Sequence, residues 1–345
     1  MNMEARHNNE MRQEIISGDW VVIAAGRSKK PDSFASAQPE AKPLPAYKET
    51  CPFCNTIEFA QAPDVLRLPN DPHNWQVRIF PNKYPAFTPG KEFRSWHVGP
   101  HRALEAVGYH ELLAPRQHNK SDAELTRPEM AMQIEALVMR YRQLKVEPSV
   151  NYIQIIKNVG AEAGASIEHP HHQIFTVPVL PNDVAKLFHG AEKYAKKHKR
   201  DVFTTMLEFE REDRQRIVYE NDYFTVFCPF ASRVPFETWI MPNKPEPFFE
   251  EIGPPEREAL ADALCDIMKR LSKKLKNPPY NYYIHSAPCD DTGFVCDISA
   301  FQHFRWHIAI LPRLSKFAGF ELGTGIEINT AIPEESAAYL RGHVN

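Results

Sequence analysis

The sequence predicts an α+β protein in which one unit, an antiparallel sheet with a packed helix, is used twice. Three observations predict it. Strand-length apolar runs and two long stretches of helical apolar spacing follow one another in the same order in both halves of the chain. Matching landmarks recur roughly 125 to 135 residues apart: HELLAP with ETWIMP, NYIQIIKN with NYYIHSAP, and HPHHQIF with HFRWHIA. Thirty prolines against fourteen glycines imply many fixed, irregular connections, unlike a regular helical bundle.

In the first half, QVRIFPN (76–82) is an apolar run bounded by Pro and Asn, and YHELLA (109–114) is a second short strand. The next segment opens on Ser121, a residue suited to cap a helix, and then repeats Met130, Ile134, Leu137, Val138 and Tyr141 at helical spacing. NYIQIIKN (151–158) and HQIFTVPV (172–179) are β-rich runs ended by Gly and Pro. The second half repeats the order with DYFTVFCPF, ETWIMP, a helix from Pro255 to Lys274, NYYIHSAP and FRWHIAILPR. Duplication implies two sheets able to join edge to edge. Two unrelated α+β domains sharing a common strand–helix order are the alternative. Residues 25–50 and 180–215 fall outside the repeat, and read as an N-terminal loop with substrate or partner contacts and a helical insertion. The expected organisation is a first module over 1–180, an insertion or linker over 181–214 and a second module over 215–345.

At 345 residues and 43% hydrophobic content the chain can bury a substantial core. A net charge of −3 with mixed signs gives no basic field for nucleic acid. The polar start, MNMEARHNNEMRQEII, has no apolar signal core, and no run is long enough to span a membrane. The cytoplasm is the expected compartment. Six cysteines there should be mostly reduced, so a close pair points to metal or redox chemistry before a disulfide.

The densest chemical signal is Gly164-Ala165-Ser166-Ile167-Glu168-His169-Pro170-His171-His172-Gln173. On a strand, His169, His171 and Gln173 share one face and His172 points to the other. Two imidazoles on one face can hold a metal, act on a phosphate, or divide those roles. A neutral imidazole nitrogen is nucleophilic near neutral pH, and the phosphoramidate it forms is easily displaced. A solvated His-rich loop is the bland reading. The second signal is Cys51-Pro52-Phe53-Cys54, half of a tetrahedral zinc site. No second C-x-x-C exists, so the missing ligands would be histidines, with His118 and His169 the best placed. A redox pair or plain buried cysteines are the rivals. Cys228, Cys265, Cys289 and Cys296 have looser spacings and read as core or loop residues.

CPFC, then FPNKYPAF, a Pro-x-x-His turn, NVGAEAGAS and HPHHQ together resemble the galactose-1-phosphate uridylyltransferase branch of the histidine-triad superfamily. The resemblance runs from Arg27 to Arg341 with the motifs in the family's order. It implies two tandem histidine-triad-like modules, a homodimer, and a nucleotide sugar and a sugar 1-phosphate or phosphate as reactants. It implies that His171 attacks the α-phosphorus, giving a covalent nucleotidyl-histidine and ping-pong turnover. Gln173, where hydrolytic relatives carry a third histidine, implies a transferase: an amide holds phosphate oxygens without acting as acid or base on water. Cys51, Cys54, His118 and His169 would bind one structural zinc. Arg27 and Lys30 match a basic pair near the substrate, or form a solvated charge cluster. Asn82 and Asn158 match nucleotide-contacting asparagines, or serve turns. Gly164 and Ser166 fit a small-residue loop that lets backbone amides approach phosphate. Phe53 would pack on the base or simply cover the zinc. Phe320 and Glu321, in KFAGFELGTGIEIN, match a hexose-phosphate segment or an exposed turn, and Lys316 is a further phosphate contact by the same match.

Two departures matter. His285 and His307 fall at two positions of a second metal site found in some relatives, but Leu187 and Ala309 take the other two, so no second iron is expected. Lys83 stands where uridylyltransferases tend to carry aspartate, which changes which base edge or ribose hydroxyl can bind. Three functions therefore compete. The first is transfer of UMP from UDP-glucose to a hexose 1-phosphate. The second is an ADP-sugar phosphorylase-like adenylyl transfer. The third is a zinc-stabilised nucleotide-binding protein without turnover.

Overall fold

The computed structural model describes residues 9–27, 33–34, 44–54, 62–290 and 297–342. In chain order, the first half contains β1 (Glu10–Gln13), β2 (Trp20–Ile23), β3 (Leu66–Leu68), β4 (Val77–Pro81), β5 (Ser95–Val98), β6 (His101–Leu104), β7 (His110–Pro115), α1 (Arg127–Leu144), β8 (Tyr152–Val159) and β9 (His172–Val177). Helices α2 (Asn182–His198) and α3 (Val202–Asp213) follow. The second half contains β10 (Ile217–Glu220), β11 (Phe224–Phe227), β12 (Thr238–Pro242), α4 (Pro254–Leu275), β13 (Tyr280–His285), β14 (His307–Pro312), α5 (Gly319–Thr324), β15 (Glu327–Asn329) and α6 (Pro333–Arg341).

Ten strands form one sheet in the order β10-β11-β12-β14-β13-β8-β9-β7-β4-β3, with antiparallel neighbours throughout. The order reads as a palindrome: each half supplies five strands in the same arrangement, and the halves join edge to edge at β8 and β13. Their register runs from Tyr280 opposite Val159 to Ile284 opposite Ile155. Joining them removes the edge that each half would otherwise expose.

Helices α1 and α4 lie side by side on one face. Ile134, Leu137 and Tyr141 of α1 and Leu264, Met268 and Leu271 of α4 meet Ile153, Ile155, Ile174, Ile284, Ile308 and Ile310 of the sheet in one core. The other face is treated differently in the two halves. Over the second half, α2 and α3 bury Leu187, Phe188 and Phe203 against Phe227, Trp239, Met241 and Leu311. Over the first half, among the described residues, a small cluster forms, Cys51 and Phe53 on Phe80, Leu112 and Ala114.

One expectation needs correction. Ser121 does not start the long helix. It caps the 3-10 turn Asp122–Glu124, its N–H meeting Glu124 Oε2 at 2.9 Å. Helix α1 begins after Thr126, whose N–H and hydroxyl both donate to Glu129, with Pro128 fixing the first turn. A separate three-stranded sheet, β1-β2-β15, and the β5–β6 hairpin lie outside the repeated unit. Among the described residues no helix is long and apolar enough to cross a membrane.

Candidate active site

The CPFC segment is a tight turn in which Cys54 N–H donates to Cys51 O at 3.1 Å. It lies beside the end of β7, after which the chain carries His118, and the loop into β9, which carries His169. Cys51, Cys54, His118 and His169 place one donor atom each within 4.8 Å of one another. Cys51 Sγ is 3.7 Å from His169 Nδ1, and Cys54 Sγ is 3.4 Å from His169 Nδ1 and 3.5 Å from His118 Nδ1. Tetrahedral zinc with ordinary Zn–S and Zn–N bonds sets sulfur and nitrogen about 3.6 Å apart, so the donor set fits such an ion. His169 Nε2–H donates to Pro115 O at 2.8 Å, which directs its Nδ1 lone pair at the thiols. Burial lowers both imidazoles, His169 to about 4, which favours the neutral form that ligates. Arg78 supports the turn from behind, donating to Phe53 O at 2.9 Å while stacked 4.6 Å from the Phe80 ring centroid.

His171 follows two residues after His169. Its Nδ1–H donates to His169 O at 2.8 Å, leaving the Nε2 lone pair free. Burial, more than the charge of Lys157, holds its imidazolium below the usual range. The Phe53 ring stands edge-on to His171 with centroids 5.1 Å apart, so Phe53 packs on the histidine. Strand alternation sends His172 to the helix-covered face, where it meets the Tyr282 hydroxyl and pairs across the sheet with Lys157. That lysine is itself buried in an ion pair with Asp122.

Gln173 lies opposite Ile156, and continuing that register places Asn158 opposite His171. Asn281, from the second half, donates through Nδ2 to Asn158 Oδ1 at 2.8 Å and to Ala163 O at 2.8 Å. That bond uses the Asn158 oxygen and not its NH2. Gly160 lies so close to Pro279 that a Cβ would fall 2.8 Å from the ring, which fixes the loop after β8. Gly164 in that loop has a φ of +81° and Ser166 is exposed. Asn82 reaches Gln173 through His110, whose Nε2 is 3.0 Å from each side chain. Sequence reasoning missed His110 and Asn281. One is a lone histidine in an apolar strand, the other an asparagine read only as strand, and neither carries a local motif.

The remaining predicted residues that are described lie on other elements. Arg27 ends the short turn Ala25–Arg27, and Lys30 lies outside the described residues. Phe320 and Glu321 sit on exposed α5, where Glu321 accepts the helix-starting N–H of Ala318 at 2.9 Å. His285 and His307 are buried beside each other, ring centroids 5.1 Å apart, with Leu187 in the helical cover and Ala309 in β14.

The family model for the N-terminal domain of galactose-1-phosphate uridyl transferase matches residues 1–181, and a model described as a domain of unknown function matches 108–341. An ADP-glucose phosphorylase of Arabidopsis thaliana is 31% identical over 96% of this chain and 92% of its own. A galactose-1-phosphate uridylyltransferase of Thermotoga maritima is 29% identical over 96% of this chain and 98% of its own. The solved structure of an Arabidopsis thaliana ADP-glucose phosphorylase with bound ADP-glucose superposes with a TM-score of 0.81 at 28% identity, covering 98% of this chain and 99% of that one. With this site geometry and these matches along nearly its whole length, the chain belongs to the galactose-1-phosphate uridylyltransferase family of nucleotidyltransferases.

Proposed function

We propose that the protein transfers a nucleoside monophosphate from a nucleoside diphosphate sugar to a phosphate acceptor through a covalent nucleotidyl-His171. The observation that carries this reading is the 2.8 Å bond from His171 Nδ1–H to the His169 carbonyl. It leaves Nε2 unprotonated on the face shared with Gln173, as in-line attack on phosphorus requires. Nε2 forms a bond to the α-phosphorus while the bond to the bridging oxygen breaks, and sugar 1-phosphate departs with that electron pair. An acceptor phosphate oxygen then displaces His171, restoring the free imidazole. Gln173 and Asn158 offer N–H donors to the phosphate, and the loop around Gly164 and Ser166 admits it closely. Zinc on Cys51, Cys54, His118 and His169 would be structural, because four protein ligands leave no open position for water. Bound there, it would hold the main chain that carries the His169 carbonyl, and Cys51, Cys54, His118 and His169 would thereby keep the tautomer of the nucleophile.

ADP-glucose with inorganic phosphate as acceptor is the first donor pair. The 31% identical relative and the ADP-glucose-bound structure support it, as does Lys83 in place of a carboxylate. Transfer of UMP from UDP-glucose to a hexose 1-phosphate is the second reading, supported by the family model and the Thermotoga relative. Intact mass after incubation with each donor, without acceptor, tests both. An AMP-sized adduct on wild type that is absent from His171→Ala is the expected result. A UMP-sized adduct would move the assignment to the second reading. No adduct with either donor on folded, zinc-loaded protein would overturn the transfer reading in favour of a binding protein. A homodimer is part of the same reading, and its mass in solution checks it.

A further inference from the structure

An amide helps a phosphoryl transfer only when it presents N–H, not oxygen, to the phosphate. A glutamine side chain by itself has no preference between the two ends. We propose that His110 is the positioning residue that makes this choice: it holds Gln173 Oε1 and turns the Gln173 NH2 toward the transferring phosphate. The inference rests on nucleotidyl transfer through His171.

Ala86 N–H donates to His110 Nδ1 at 3.2 Å. A main-chain amide can only donate, so Nδ1 carries the lone pair and Nε2 the proton. Nε2–H lies 3.0 Å from Gln173 Oε1, which leaves the Gln173 NH2 pointing off the imidazole. Phe175 stacks on the His110 ring at 4.0 Å between centroids and 26° between planes, which keeps the ring from swinging. Burial holds the imidazolium below its ordinary range, so the singly protonated ring persists near neutral pH.

The same ring reaches the other end of the site. Asn82 N–H donates to His110 O at 2.8 Å, and Asn82 Oδ1 accepts from Tyr84 N–H at 3.0 Å. Asn82 Nδ2 stands 3.0 Å from the same His110 Nε2. His110 thus fixes the amide of Gln173 and touches Asn82 through the same nitrogen.

Three substitutions separate this role from packing. His110→Phe keeps the ring and its stacking and loses both nitrogens. His110→Asn keeps an acceptor near Ala86 and is too short to reach Gln173. His110→Gln can again donate to Gln173 Oε1. Each protein is mixed with ADP-glucose and with UDP-glucose without acceptor, and the mass adduct is followed in time beside the affinity for AMP and UMP. Mis-set donors slow such steps by about 10- to 100-fold, so that loss of rate is expected for the Phe and Asn variants. Nucleotide affinity should stay within about threefold, because Asn82 keeps its Tyr84 anchor. His110→Gln should recover most of the rate. Wild-type rates in the Phe or Asn variant, or a Gln variant no faster than they are, would overturn the role of His110 alone. A wild type that forms no adduct overturns the transfer reading, and this inference with it.

Discussion

His171 and His307 hold the same place in the two halves of one sheet and meet opposite fates. A single row of paired residues crosses the sheet through Phe80, Leu112, Gln173, Ile156, Tyr283, Ala309, Trp239 and Phe227. Ala309 mirrors Gln173 in that row, and His307, two residues earlier, mirrors His171. Both histidines direct Nδ1–H at the carbonyl two residues before, His307 to Arg305 O at 3.1 Å. Around His171 stand the buried Phe53 ring on one side and the half-buried amides Asn158 and Gln173 along the strands. Around His307 they are Trp239, stacked at 4.6 Å, Phe203 and Phe304, closed over by α2 and α3. The strand geometry that aims an imidazole is thus common to both halves. What differs is the covering layer: α2 and α3 close over His307, while His171 has only the small Cys51–Phe53 cluster beside it among the described residues.

The largest effect expected from this difference is on turnover. His171→Ala should abolish the mass adduct and lower turnover by more than about a thousandfold, while His307→Ala should form the adduct normally and lose stability instead. Intact mass beside thermal melting reads both. A folded His307→Ala protein without adduct would break the contrast. Metal comes next. Cys54→Ser should strip zinc, measured by elemental emission, and lower stability by several kcal/mol, since ligation is coupled to folding. Adduct formation should slow with it, because the His169 carbonyl fixes the His171 proton. The second half should be insensitive: zinc loss should leave hydrogen exchange in β12 and β14 unchanged.

How much of this was legible in the sequence follows the same division. HPHHQ and CPFC could be read because their chemistry is contiguous, and spacing alone ordered the faces of His171 and His172. The duplication was legible too, but pairing HPHHQIF with HFRWHIA matches Gln173 to His307. The sheet shifts that correspondence by two residues, which a period-2 pattern cannot distinguish. Ser121 and Thr126 each precede a glutamate by three residues, and only the position of Pro128 tells which one starts the helix. His110, Asn281 and the β1-β2-β15 sheet depend on partners far away in the chain, and no local pattern encodes those.

The buried His307 gives the second half an acid sensitivity of its own. Burial, which outweighs the hydrogen bond to Arg305 O, lowers its imidazole from 6.5 to about 4. Between those values the unfolded chain binds a proton that the folded chain refuses. Stability therefore falls as pH drops from 6.5 to about 4 and is unaffected by this group above that window. The loss is roughly 3 kcal/mol at most. His285 is pushed the same way by burial, His307 and Arg233, so the observed slope exceeds one group's share. Denaturant melts at pH 7, 5.5 and 4.5 should show His307→Phe losing less stability across the window than wild type. Equal losses would mean that His307 is not the closed counterpart of His171.

The smallest expected effect probes the cover itself. Gly190 in α2 packs so tightly on the N-terminal segment that a Cβ would fall 1.7 Å from Ile16 O and 2.8 Å from its carbonyl carbon. Ile16 belongs to the same buried cluster as Leu187, Phe188 and Ala191, so the glycine lets the helix touch the turn between β1 and β2. Backbone cannot yield as a flexible side chain does. Gly190→Ala should therefore push α2 off that turn and cost about 2 kcal/mol, even though alanine favours a helix by about 1 kcal/mol. The damage should stay on the covered side: hydrogen exchange should quicken in α2 and in Glu10–Ile23, while His171 forms its adduct at the wild-type rate. If the adduct slowed in step with the loosened helix, the two halves would be energetically coupled, and the cover over the second half would be serving the chemistry of the first.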